Sequence, residues 1–396
     1  MKAPLHIVGG VYRERCQWPM PETDNVFGSA GRAAAALQGT GIERILHTYI
    51  GPDLQDTIDL ILGGFEFQIE KHLRPVDPVF EYVHCLAVPT ISPDLVTVPK
   101  MAPIHVKGDM VIRFGMLEGD AVVDAGMCVY DPQSAYQPVG FRANGSRARR
   151  LALVANSGEA KALTKTADLT VAAERLLTSE HADVVVIKCG LDGAIVASAD
   201  GVARVPAFAV DVAQTIGSGD VFVAVFAKGW MYDGLAPVDA ALVASKVTAN
   251  YIESSILPVE LDQRSRSEIR RATGKVYLAG PFFSIGQRWL VDEVRRVLLA
   301  LDVKVFSPVY EVGRGSAKDI APKDISAIHE CDAMFAIIDG IDSGTIFEIG
   351  YARALGKPVF GLAQSVPEED LKMIVGSGCI VSADFASLLL QVAQRS

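Results

Sequence analysis

The side chains best suited to chemistry gather in Asp339-Gly340-Ile341-Asp342-Ser343-Gly344-Thr345-Ile346-Phe347-Glu348-Ile349-Gly350-Tyr351-Ala352. Ala333 to Ile338, just before, is a short apolar run that predicts a buried strand, and the stretch continues to Leu355 as a helix. In the turn between them Gly344 lets the backbone bend tightly, and Asp342 or Ser343 can cap the helix. Glu348 falls about one turn inside, where the positive end of the helix dipole favours an ionised carboxylate. That form suits a nucleophile or a base that stabilises a cation. Alone, Glu348 could equally be an ordinary first-turn glutamate, so its neighbours must decide.

Those neighbours are acidic and aromatic. Tyr277-Leu278-Ala279-Gly280-Pro281-Phe282-Phe283 offers backbone and ring surface, Asp324 lies eight residues before Asp332, and Asp342 and Glu348 complete the set. Three carboxylates facing one crevice are costly unless each meets a polar or cationic partner, a charge that a sugar of oxocarbenium character supplies.

The elements that must position them alternate regularly from Lys275 onward. Strands are predicted at Lys275 to Ala279, Val303 to Phe306, Ala333 to Ile338, Val359 to Leu362 and Cys379 to Val381. Helices fall at Gly286 to Leu301, Lys318 to Cys331, Gly344 to Leu355, Glu368 to Val375 and Ala383 to Gln394. Such β-α repeats predict a doubly wound parallel sheet with ligands at the carboxyl ends of its strands. The turns after Ala279, Phe306 and Ile338 should then meet at one crevice.

A second constellation lies upstream. Val210 to Thr215 leads to Gly217-Ser218-Gly219-Asp220 and the apolar helix Val221 to Trp230. Glycines before a helix leave N–H groups free for a phosphate oxygen, and an aspartate there can accept a proton from an attacking hydroxyl. Any tight strand-to-helix turn could use the same residues. Leu151 to Val154 predicts a strand before the helix Asn156 to Thr164, and Val184 to Ile187 a strand before Lys188 and Gly190-Leu191-Asp192-Gly193. Further strands are expected at Leu5 to Val8, Ile42 to Tyr49, within Val79 to Val98, at Val122 to Asp124 and at Val129 to Asp131. Gly28-Ser29-Ala30-Gly31-Arg32 enters the helix Ala33 to Leu37, where small residues serve ligand approach or close packing alike.

Composition narrows the classes. At 396 residues, two domains are expected, and half of the residues are apolar with only 7% aromatic, as in an α/β protein rich in small aliphatics. The net charge of −10 argues against binding nucleic acid, which needs clustered Lys and Arg. Six cysteines without close pairs read as reduced thiols rather than zinc or redox sites. No leader-like start and no apolar run near the roughly 18 residues of a membrane span are present, so no membrane contact and a cytoplasmic location are expected.

The downstream set, Tyr-x-x-Gly-Pro-x-Phe with Asp324 and Asp-Ser-Gly-Thr-x-x-Glu-x-Gly-Tyr-Ala, resembles the nucleoside 2-deoxyribosyltransferases and the related 2′-deoxynucleoside-5′-monophosphate N-glycosidases over about Lys275 to Ser382. The resemblance implies that Glu348 attacks C1′ of the sugar, giving a glycosyl-enzyme that passes to a second base or to water. Asp324 becomes the candidate for proton handling at the leaving base, Asp342 for holding sugar hydroxyls and Tyr277 for positioning Glu348 or the base. Helix capping by the two aspartates and a core role for Tyr277 remain the alternatives. Gly280, Pro281, Phe282, Gly344 and Thr345 are candidate substrate contacts, as is Lys372 for a 5′-phosphate. Where these families place asparagine or serine before a Met, this chain has Leu371, and it stops at Arg395-Ser396 without the tyrosine that ends some transferases. Transfer and hydrolysis stay open. The family shares active sites between subunits, implying a homo-oligomer through this half.

The upstream order Asn156-Ser157-Gly158-Glu159, Lys188 to Gly193, Thr215 to Asp220 resembles the second half of the ribokinase-like (PfkB) sugar and nucleoside kinases. It implies that Asp220 is the base, that Gly217, Ser218 and Gly219 form the anion hole, and that Lys188, Gly190 and Gly193 belong to the nucleotide site, with ATP and Mg²⁺ as cofactors if the domain is active. Gln214 replaces the usual acidic residue, Arg32 the usual asparagine, and the lid strands are shortened to the loop Arg13 to Asn25.

The expectation is an α/β chain. A ribokinase-like α/β/α domain over residues 1–260 and a linker over 261–274 precede a doubly wound, flavodoxin-like deoxyribosyltransferase domain over 275–396. It would cleave or transfer the N-glycosidic bond of a small nucleoside or nucleotide with no metal or cofactor in the second half. The alternatives are a kinase whose product the second half hydrolyses, and an impaired nucleotide sensor.

Overall fold

The computed structural model describes residues 2–134, 137–313 and 315–394, so the closing Arg395-Ser396 lies outside them. The chain divides into two compact units, Met1–Ile269 and Arg270–Ser396.

The first unit is built on a nine-stranded sheet in the order Gly201–Val205, Ala194–Ser198, Val184–Lys188, Arg147–Asn156, Ala121–Asp131, Ile104–Phe114, Leu5–Val8, Arg44–Ile50, Gln68–Leu73. Pairing is parallel except at the Val184–Val205 end, where three strands run antiparallel. Strands buried on both faces read as unbroken apolar runs, as in Val184-Val185-Val186-Ile187, whose four residues are all buried. Helices Gly28–Ala36, Ser218–Ala227 and Pro237–Ser254 contribute to the core on one side of the sheet, and Ser157–Thr164 and Leu169–Ser179 to that on the other. The two sites read as strands at 122–124 and 129–131 are one continuous strand, Ala121–Asp131.

The lid is not shortened to a loop. Arg13–Trp18 pairs antiparallel with Thr23–Val26 and parallel with Val79–His84, which pairs with Thr90–Ser92, making a four-stranded sheet. Half of it comes from a segment far downstream, so no local pattern around Arg13 announces it.

Residues 261–269, expected as linker, lie within the first unit, with Ala209 N donating to Ser267 O at 2.9 Å and Ile269 N to Ala207 O at 2.8 Å. In the second unit Ala272 N donates to Ala393 O at 2.9 Å.

The second unit has one parallel sheet, ordered Lys304–Phe306, Lys275–Ala279, Ala333–Ile337, Val359–Leu362, Ile380–Ser382. In sequence order this is 2-1-3-4-5, the flavodoxin-like winding, which switches direction between the first and third strands. Because Lys275–Ala279 lies between Lys304–Phe306 and Ala333–Ile337, the turns leaving their carboxyl ends are neighbours. Helix Ser343–Ala354 starts from one of them, and its N-cap is Asp342, whose side chain accepts from Thr345 N. Among the described residues no helix is long and apolar enough to cross a membrane.

Candidate functional site

In the second unit the fold brings Tyr277, Asp324, Asp342 and Glu348 together. Tyr277 is fully buried on the strand Lys275–Ala279, its ring stacked on Phe306 with centroids 5.5 Å apart. Its hydroxyl reaches across to the helix and donates to Glu348 Oε1 at 2.6 Å. Burial, with the Glu348 charge next in weight, holds the phenol far above its ordinary range, so Tyr277 stays protonated and acts only as a donor.

Glu348 behaves differently from what its place on the helix suggests. Its carboxyl is pushed up to about 7, first by burial and then by the nearby charges of Asp324 and Asp342, against the opposing pull of the Tyr277 bond. Desolvation and like charges outweigh the helix dipole, so the carboxylate is poised near neutrality rather than firmly ionised. Asp324 is also raised by burial, and its Oδ1 is enclosed without a hydrogen-bond partner. Its enclosed oxygen leaves one hydrogen-bonding position open towards a ligand. Asp342 Oδ2 accepts from Thr345 N at 2.8 Å and from Thr345 Oγ1 at 3.0 Å. It caps the helix while its charge is felt at Glu348, so the two readings of this residue do not exclude each other.

The other candidates in this unit divide. Thr345 is buried and bound to Asp342, and Gly344 lies beside it in the first turn of the helix. Gly280, Pro281 and Phe282 form the turn that leaves the strand Lys275–Ala279, with the Phe282 ring stacked on Phe283 at 5.1 Å. Lys372 points into solvent, where its Nζ meets Glu369 at 2.5 Å. Asp332 serves the scaffold, its Oδ2 accepting from Lys275 N at 2.7 Å.

In the first unit, Asp220 is buried at the start of its helix and already engaged on both oxygens. Arg32 Nη1 lies 2.9 Å from Oδ2, and Gln133 Nε2 donates to Oδ1 at 2.7 Å. Gly217 holds φ at +77°, and a Cβ there would fall within the Arg32 side chain, so glycine is required. Lys188 Nζ lies 2.5 Å from Asp131 Oδ2. Burial disfavours the ammonium, yet Asp131 and Glu159 outweigh it and raise the lysine, while Glu159 is itself pushed to about 7 by burial and the Asp131 charge. Lys188, Gly190 and Gly219 line one pocket with Asp131, Asn156 and Glu159, of about 490 Å³. Gly193 takes φ +75° after that turn, and Ser218 opens the helix. A larger cavity of about 800 Å³ under the lid is lined by Tyr12, Glu14, Ser29, Phe80, Tyr82, Gln133 and Asp220, among others.

Sequence reasoning did not single out Glu14, Gln133, Asp131 or Phe306. The polar loop after Val129-Tyr130-Asp131 was a signal for two of them; Glu14 carried none until its strand was seen as part of a sheet.

The family model of the nucleoside 2-deoxyribosyltransferases matches residues 276–381, and that of the pfkB family carbohydrate kinases matches residues 148–255. A protein of Thermofilum pendens, provisionally named 2′-deoxynucleoside 5′-phosphate N-hydrolase 1, is 33% identical over 98 residues, which are 22% of this chain and 67% of that protein. Among solved structures, the ribokinase of Thermotoga maritima aligns with a TM-score of 0.46 at 17% identity, covering 63% of this chain and 93% of that one. Phosphofructokinase-2 of Escherichia coli with fructose-6-phosphate gives 0.45 at 11%, covering 63% and 94%. The chain is thus an enzyme that joins a pfkB-family carbohydrate-kinase domain to a nucleoside 2-deoxyribosyltransferase domain, and through the latter it belongs to the nucleoside 2-deoxyribosyltransferase family.

Proposed function

We propose that the second unit breaks the N-glycosidic bond of a deoxynucleoside or its 5′-monophosphate with Glu348 as nucleophile. The observation that carries this reading is the 2.6 Å bond from the buried Tyr277 hydroxyl to Glu348 Oε1, which aims a carboxylate poised near neutrality from a helix start. Glu348 forms a C1′–O bond as the C1′–N bond breaks, and the electron pair of the broken bond leaves with the base. Asp324, whose carboxyl burial raises and whose Oδ1 has no partner, gives that base its proton. The growing positive charge at C1′ favours ionised Glu348 when it is needed. Water or a second base then attacks C1′, the ester to Glu348 breaks, and Asp324 regains a proton from the attacking group. The Thermofilum pendens relative is named for 2′-deoxynucleoside 5′-phosphates, so these are the first substrates to assay.

The test is incubation of the purified chain with deoxynucleosides and their 5′-monophosphates, with and without an acceptor base, followed by chromatography of free base. Wild type should release base and Glu348→Ala should not. Release that persists in the variant, or none from wild type with any of the four bases, rejects the reading. Products carrying the acceptor base distinguish transfer from hydrolysis. Exposed Phe283, Ile285, Trp289 and Met373 support assembly into an oligomer through this unit, to be measured by light scattering.

In the first unit the residues suit a phosphoryl donor. Lys188 and the backbone at Gly219 would hold donor phosphates, and Asp131 and Glu159 a Mg²⁺ ion, which usually takes few protein ligands. ATP, when bound, supplies the phosphoryl group. Asp220 would receive the acceptor hydroxyl's proton only after giving up Arg32.

A further inference from the structure

Arg32 stands where three elements of the first unit meet, and only 3% of it is exposed. From helix Gly28–Ala36 its Nη1 lies 2.9 Å from Asp220 Oδ2 and donates to Glu14 Oε1 at 3.3 Å, Nη2 pairs with Glu14 Oε2, and Nε donates to Tyr251 Oη at 3.0 Å. Asp220 belongs to the body of the unit, whereas Glu14 belongs to the lid strand Arg13–Trp18. One guanidinium therefore ties the lid to the floor of the cavity that both carboxylates line.

Along that lid strand the side chains alternate. Arg13 and Arg15 face outward, in partly exposed pairs with Asp24 and Glu81, while Glu14 and Cys16 point inward. Exposed pairs of that kind contribute little, whereas a forked arginine bridge inside the protein is strong and specific in geometry. Arginine does not lose its proton, so such a bridge opens by movement of a partner and not by deprotonation of the cation.

We propose that Glu14, Arg32 and Asp220 form a charge latch that holds the four-stranded lid shut over the cavity while Asp220 is engaged, and that Glu14 must let go of Arg32 before a ligand enters. The latch is an autoinhibitory contact. While it is closed, each Asp220 oxygen already accepts a hydrogen bond, and the carboxylate has a fixed cation beside it in place of a substrate hydroxyl.

Cys16 reports on the lid, since it is buried on the inward face two residues from Glu14. The experiment compares iodoacetamide labelling of Cys16 with that of Cys128, buried in the main sheet, by peptide mass spectrometry of the full chain at pH 8. Glu14→Gln should raise the Cys16-to-Cys128 ratio by about tenfold or more, because losing one partner of a buried pair is strongly unfavourable to the closed state. Glu81→Gln, which removes a charge from the outer face of the same lid, should leave the ratio unchanged. An unchanged ratio in Glu14→Gln overturns the latch, as does an equal rise in Glu81→Gln. General destabilisation would speed both cysteines in step and leave the ratio flat, which also counts against it.

Discussion

Replacing Glu348 with glutamine should stop the chemistry and stabilise the second unit at the same time. The carboxyl's ordinary value is 4.5, and in the folded chain it is pushed up to about 7. Below pH 4.5 it is protonated whether folded or unfolded, and its burial carries no charge penalty. As the pH climbs from 4.5 to about 7 the unfolded chain gives up the proton and the folded chain resists, so stability falls across that window and then levels off. The full penalty is about 3 kcal/mol, from roughly 1.4 kcal/mol per unit of displacement. The uncharged side chain of the Glu348→Gln variant would carry no such penalty, and its amide oxygen would still accept from Tyr277 while its amide hydrogens face Asp324 and Asp342. Hydrogen exchange of peptides from Ser343–Ala354, compared between variant and wild type at one pH, cancels intrinsic rates. Protection should match at pH 4 and favour the variant by about a hundredfold at pH 8, with base release lost. Lower protection in the variant at pH 8, or release that survives, would refute the argument that this carboxylate is strained for use.

Three other substitutions probe the remaining links. Tyr277→Phe removes the donor that steadies ionised Glu348, so the acidic limb of the kcat/KM profile for base release should move up by about one to two pH units, the range for a bond to a charged group. An unmoved limb would leave Tyr277 as packing alone. Asp324→Asn cannot deliver a proton to the leaving base and should lower kcat by about 10² to 10⁴, most for bases that leave poorly when unprotonated; an equal loss with every base would count against that role. Lys188→Ala leaves Asp131 buried beside Glu159 without its cation, and urea melts should show the first unit weakened by about 3–5 kcal/mol. A loss below about 1 kcal/mol would mean that solvent reaches the pair.

Much of the fold was legible locally. Short apolar runs ending in glycine or a polar turn reveal strands because a buried strand needs an unbroken apolar sequence and its exit needs a flexible residue. Lys275–Ala279 and Val359–Leu362 were placed to the residue. The alternation of such runs with amphipathic helices fixes the α/β class, since parallel neighbours require a crossover. Element ends were less legible: helix Gly28–Ala36 begins five residues before the alanine run at which it was expected, because its first turn is glycine-rich and shows no apolar period.

The candidate site was legible as residue types and not as geometry. Sequence alone determined that Tyr277, Asp324, Asp342 and Glu348 are present, on elements whose carboxyl-end turns a doubly wound sheet brings side by side. Only the tertiary structure decided that the Tyr277 hydroxyl meets Glu348 across 71 positions of chain, and that burial lifts that carboxyl to about 7 against the helix dipole. It also decided that the lid is a sheet and that Arg32 joins Glu14 to Asp220 across 18 and 188 positions. Local pattern reports which backbone state a segment prefers. Desolvation, strand partners and ion pairs depend on what distant segments place around a group, and that is set only once the whole chain has packed.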